Sequence, residues 1–74
     1  MAKQHVMDYT GHTTIEFDPS NTTQLDEALA RHKELTAAGA TSATRQAGEK
    51  DYTVARAFDP TADETLYIPR LQGG

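Results

Sequence analysis

The sequence predicts an α+β domain built from one helix and four or five strands, and three observations carry that prediction. Apolar residues alternate with polar ones on either side of Gly11 in the first seventeen positions. Leu25, Ala28, Leu29, His32 and Leu35 then recur at three- and four-residue steps, the spacing of a single helical stripe. Beyond Gly39 the segments 41–46, 52–58 and 66–68 read as extended. At 74 residues the chain has room for only one core. Residues 1–71 are expected to form a single domain, followed by a flexible Gly-Gly tail at 72–74.

Strands around 5–9 and 13–17 are expected to pair as a hairpin across Thr10-Gly11-His12. A two-residue loop at Thr10-Gly11 or at Gly11-His12 keeps Val6, Ile15 and Phe17 on one face, because side chains alternate with a period of two. Gly11 supplies the positive φ that a tight hairpin turn wants, and Asp18-Pro19 ends the second strand.

Ser20, Asn21 and Thr22 each offer a helix N-cap, and Asn21 with Gln24 resembles a weak capping box. Asp26 and Glu27 are expected in the first turns, where the helix dipole favours anions, with Glu27 four residues before Arg31 as an ion-pair partner. Gly39 stops the helix as its C′ residue.

The segments 41–46 and 52–58 flank a Gly48-Glu49-Lys50-Asp51 turn. The first is a weak strand, with only Ala43 and Ala47 apolar on one side. In the second, Tyr52, Val54 and Phe58 are expected to share a face with Arg56, whose charge must snorkel outward. Thr61-Ala62-Asp63-Glu64 fits a capping box and predicts a short helical turn after Asp59-Pro60. Leu66-Tyr67-Ile68 then runs into Pro69, whose missing N–H restricts pairing. Phe17-Asp18-Pro19-Ser20, followed by Leu25, recurs 41 residues later as Phe58-Asp59-Pro60-Thr61, followed by Leu66. Duplication accounts for the echo, and so does the same strand-ending problem solved twice.

Composition excludes several functions. Leu, Ile, Val and Phe number eleven together, as many as the alanines alone or the threonines alone, so the core is thin and its stability modest. Without cysteine there is no disulfide, thiolate metal cage or thiol nucleophile. No apolar run approaches a membrane span and the N-terminus lacks a signal-peptide core, so a cytoplasmic location is expected. Seven Lys and Arg against eleven Asp and Glu, a net charge of −4, argue against nucleic-acid binding. Too little chain remains for a substrate pocket and its supporting shell, so no enzyme and no cofactor are expected.

The other polar residues point to no chemistry. His5, His12 and His32 show no metal-ligand spacing and no carboxylate cluster joins them, so no metal site is expected. His32, on the apolar stripe, reads as a boundary residue. Ser20 and Ser42 lack a base at a recognisable spacing. Asp63-Glu64 fits capping better than acid–base work, and no glycine-rich phosphate loop is present.

Two stretches resemble ubiquitin. Thr10-Gly11-His12-Thr13 followed by Glu16-Phe17-Asp18-Pro19-Ser20-Asn21-Thr22 is similar to its T-G-K-T turn, second strand and E-P-S-D-T helix entry. Glu64-Thr65-Leu66-Tyr67-Ile68, with Arg70-Leu71-Gln72-Gly73-Gly74, is similar to its S-T-L-H-L strand and R-L-R-G-G tail. The element order and length also match, while the helix and middle strands carry no sequence match. The resemblance implies a ubiquitin-like β-grasp, a four- to five-stranded mixed sheet packed on one α-helix. Pro69 and Gln72 depart from the pattern. Gln72 puts a neutral residue where ubiquitin has arginine, which an activating enzyme would have to tolerate.

A terminal carboxylate is a poor electrophile because attack would have to expel oxide. In ubiquitin-like and sulfur-carrier families ATP adenylates it, and a thiolate of the activating enzyme takes the acyl group. Glycines suit this role, since without Cβ they thread a narrow channel and leave the carbonyl unhindered. The resemblance thus implies Gly74 as acyl donor, Gly73 as thin spacer, and Leu71, Arg70 and Gln72 as the tail that partners recognise. Implied partners are an E1-like adenylating enzyme, target proteins and an isopeptidase, with the protein itself monomeric. Lys3, Lys33 and Lys50 are the acceptors available for chain formation. Arg45, Arg56 and Arg70 would fall on neighbouring strands of such a sheet, which reads either as a basic patch near the tail or, in preference, as solvated surface charge. A sulfur carrier bearing a C-terminal thiocarboxylate uses the same residues. A small binding module would instead use a sheet face or edge strand.

Overall fold

The computed structural model describes residues 1–8 and 11–69. Its elements are β1 (Ala2–Asp8), β2 (Gly11–Phe17), α1 (Thr22–Ala37), β3 (Thr41–Arg45), β4 (Thr53–Val54) and β5 (Glu64–Ile68). The strands form one five-stranded mixed sheet in the order β2-β1-β5-β3-β4, with α1 packed on one face. β1 runs parallel to β5, and the other neighbours pair antiparallel.

The hairpin keeps the expected face but not the expected register. Pairing runs from Ala2↔Phe17 to Asp8↔Gly11, a different register from either expected loop, Thr10-Gly11 or Gly11-His12. The offset is an even number of residues. Val6, Ile15 and Phe17 therefore stay on one face, as a period of two requires. Gly11 has the expected positive φ of 140°, but as the first residue of β2.

Local chemistry sets both ends of α1. Asn21 is the N-cap, its Oδ1 accepting from Gln24 N at 3.1 Å. The reciprocal half of the capping box is replaced, because Gln24 Oε1 accepts from Asp18 N at 2.8 Å. Asp26 and Glu27 lie beyond the first turn, which holds no acid, and Arg31 donates to Gln4 Oε1 where a pair with Glu27 was expected. At the other end Gly39, at φ 101°, follows the cap Ala38. Gly39 N bonds Thr36 O and Ala40 N bonds Leu35 O, the two bonds of a Schellman motif.

The segment after β3 departs most from expectation. β4 is two residues long, not seven, and both are exposed. Ala43↔Val54 and Thr44↔Thr53 are its only rungs. One bond continues past them from Ala55 N to Ser42 O, and the Ser42 hydroxyl then takes the Ala55 carbonyl. Val54 opposes Ala43 and so lies on the outer face of the sheet, 69% exposed. Phe58 instead turns inward to Phe17, ring centroids 6.2 Å apart. Tyr52, Val54 and Phe58 therefore do not share a face.

The Phe-Asp-Pro echo is real in structure. Asp18 Oδ1 accepts from Ser20 N and Oγ, and Asp59 Oδ1 accepts from Thr61 N and Oγ1. These bonds, the hydroxyl's first, hold both carboxyls below the usual aspartate range. The first copy leads into α1. The second leads directly into β5, without the expected helical turn. Thr61 is bound to Asp59, and Glu64 is drawn to Arg45 and His5, so neither residue is left to cap.

The inner face of the sheet meets α1 through Ala2, Phe17 and Ala28, all buried, with Leu25 and Phe58 packed against them. Leu29 and Leu35 of the stripe are only half-buried, whereas His32 is buried at 5% exposure and is not a boundary residue. Among the described residues no helix is long and apolar enough to cross a membrane.

Candidate functional site

β5 is the central strand, between β1 and β3, and Pro69 directly follows it. The sequence-predicted tail Arg70, Leu71, Gln72, Gly73 and Gly74 lies outside the described residues. Of the candidate acceptors, Lys3 is exposed on β1, Lys33 on α1 and Lys50 in the β3–β4 loop, so all three amines face solvent. A groove of about 240 Å³ lined by Val6, Leu35, Ala40 and Tyr67 reaches Pro69, where the described chain stops.

Two polar clusters flank β5, one on each face of the sheet. On the helix side, Gln4 and Tyr67 are almost fully buried. Gln4 Nε2 donates to Ala28 O and to Tyr67 Oη, both at 3.1 Å, while Arg31 Nη1 donates to Gln4 Oε1 at 2.7 Å. Arginine can only donate, so this last bond fixes which end of the amide is oxygen. His32 Nδ1 lies 2.9 Å from Tyr67 Oη, and its Nε2 lies 3.4 Å from Arg56 O. A neutral ring with its proton on Nε2 satisfies every atom: Tyr67 donates to Nδ1, and Nε2 donates to Arg56 O. Burial pushes the Tyr67 hydroxyl above its ordinary value.

On the outer face, Glu64 gathers side chains from β1, β3 and the β3–β4 loop. Arg45 of β3 donates to Glu64 Oε2 and, at 3.0 Å, to Asp63 Oδ2. His5 Nε2 lies 2.5 Å from Glu64 Oε1, and the Tyr52 hydroxyl reaches the same oxygen at 3.3 Å. Arg45, and after it His5, hold the Glu64 carboxyl at about 2, below its ordinary 4.5. Asp63 and Glu64 are thus ion-pair partners of a half-buried arginine, not capping groups. Arg45 is engaged in this cluster and Arg56 is exposed.

Neither cluster is legible as a motif. Gln4 shares a face with Val6, so strand parity marks it as inward, but its partner Tyr67 is 63 positions away. The outer cluster depends on the registers Lys3↔Glu64 and Arg45↔Glu64, which no local pattern encodes. Among the described residues, no group of three or more His, Cys, Asp or Glu is placed to hold a metal ion.

No family model matches the chain, and no curated protein or solved structure is significantly similar to it. The likeness to ubiquitin therefore rests on the residues quoted above.

Proposed function

We propose that this chain is a ubiquitin-like protein modifier, activated at the Gly74 carboxylate by an E1-like adenylating enzyme and joined to nucleophiles on target proteins. The observation that carries the reading is the Arg70-Leu71-Gln72-Gly73-Gly74 stretch following the Glu64–Ile68 segment. The strand order, with β5 central and parallel to β1, supports a β-grasp for the same domain. The reading requires a free carboxylate on Gly74, which an intact-mass measurement of the cellular protein tests first. The protein would be cargo, with the chemistry residing in the activating enzyme.

The decisive experiment purifies an N-terminally tagged copy from its host under denaturing conditions and digests the product with trypsin. Cleavage after Arg70 leaves Leu-Gln-Gly-Gly on every modified lysine. That remnant on other proteins, and its loss in a chain ending at Gln72, is the expected result. A C-terminal thiocarboxylate on free chain, with no remnant, would instead indicate the sulfur carrier. Met7, Val54 and Ile68, exposed on the outer sheet face, favour a second reading as a small binding module. Deleting Gly73-Gly74 would leave that module's binding intact.

A further inference from the structure

β2 is an edge of the sheet along its whole length. It is seven residues long and pairs on one side only, with β1, in an unbroken register from Phe17 to Gly11. In an antiparallel ladder alternate residues turn both N–H and C=O away from the partner strand, so the far side of β2 carries a row of such groups. Among the described residues no other strand pairs with them. Edges left open in this way are normally blunted by a proline, a lysine, a bulge or a very short strand. The stretch Gly11-His12-Thr13-Thr14-Ile15-Glu16-Phe17 has none of these, and His12, Thr13, Thr14 and Glu16 are exposed. The opposite edge, β4, is only two residues long.

We propose that β2 pairs antiparallel with β2 of a second copy of this chain, about a two-fold axis at Thr14, so that the two sheets become one. Strand geometry and charge select this register. Two edges share a ladder only where residues of the same parity face each other, so the axis passes through a residue and not between two. An axis at Thr14 is the one that pairs all seven residues of the strand. It sets His12 of each copy against Glu16 of the other, an imidazole donor opposite an acceptor-only carboxylate. Thr14 meets Thr14, and both kinds of pair are favourable across strands. Moving the axis to Glu16 would instead oppose two carboxylates. The contact consumes the long edge of each copy and leaves only the short β4, so the assembly closes as a dimer and does not grow into a fibre. β1 separates β2 from β5, the strand that leads toward Gly74. The pairing is therefore independent of the modifier reading, though it replaces the monomer that the resemblance implies.

Sedimentation equilibrium of the full chain, from micromolar to millimolar concentration, is the direct test. The average mass should rise from 8.1 kDa toward twice that value. Glu16→Lys should weaken association about 2- to 30-fold, because both symmetric pairs are lost. Adding His12→Asp should restore it by reversing each pair. Both residues are exposed, so these variants should keep the fold. The chain has no cysteine, so Thr14→Cys carries a single thiol, placed on the axis. A short bis-maleimide should join that variant into a dimer and leave Lys33→Cys, at an exposed position of α1, monomeric. A mass that stays at 8.1 kDa up to millimolar concentration would overturn the proposal. So would a dimer that Glu16→Lys does not weaken and Thr14→Cys does not crosslink.

Discussion

His32 Nδ1 lies 2.9 Å from Tyr67 Oη in the interior of the domain, joining the middle of α1 to the central strand. Tyr67→Phe keeps the ring and removes only the hydroxyl. His32 Nδ1 then has no donor, and Gln4 retains only Ala28 O for its amide hydrogens. Leaving a buried acceptor unpaired costs about 1–3 kcal/mol. Urea unfolding should show a lower midpoint at unchanged slope. A midpoint equal to wild type would mean that water replaces the hydroxyl and that the network contributes little.

Glu64 should govern the acid side of stability. A carboxyl whose folded pKa is depressed contributes fully above its unfolded value and loses that contribution as pH falls toward the folded one. For Glu64 the window runs from about 4.5 down to about 2. Asp18 and Asp59 are shifted in the same direction and add to the loss. The urea midpoint is expected to fall steeply below pH 5. Glu64→Gln should lower the midpoint at pH 6 and make the acid fall shallower. The same acid fall in the variant as in wild type would remove Glu64 from the account.

What was legible in the sequence was local. Asn21 and Gly39 end the helix through bonds to residues within five positions, and period-two parity places Phe17 inward whatever the loop. What was not legible depends on distant partners. The Thr61–Glu64 pattern is a sound capping box, yet bonds from Arg45 and His5 and the rungs of β5 outweigh one turn of isolated helix, which is marginal on its own. The 52–58 segment has its last full rung at Val54, with one backbone bond beyond it, because the Ser42 hydroxyl takes the Ala55 carbonyl and Phe58 turns in against Phe17. The polar interior around Gln4 has no counterpart in composition or periodicity beyond its parity. The candidate activation residues were legible only as a sequence pattern.

Gly39→Ala tests the helix stop. The position has φ 101°, a conformation that a residue with a Cβ adopts at a cost of roughly 1–2 kcal/mol. The Schellman bonds from Gly39 and Ala40 would weaken with it. Thermal unfolding followed by circular dichroism should show a lower Tm with the native spectrum retained. An unchanged Tm would place the stop in the packing of Leu35.

Phe17→Ala should approach the limit of what this domain tolerates. The buried apolar residues among those described are four alanines, Phe17 and Tyr67. Phe17 contacts Ala2 and Ala28 and stacks near Phe58, so it joins β1, β2, α1 and the 58–61 turn. Truncating a buried phenylalanine costs about 3–5 kcal/mol, against the 5–15 kcal/mol typical of a whole domain. A core this rich in alanine leaves little in reserve, and the variant should be largely unfolded at 37 °C by far-ultraviolet circular dichroism. Phe58→Leu, at a half-buried site where most of the apolar volume is kept, should remain folded with a lower Tm. If both variants fold equally well, the load lies elsewhere, in the buried contacts of Tyr67 with Gln4 and His32.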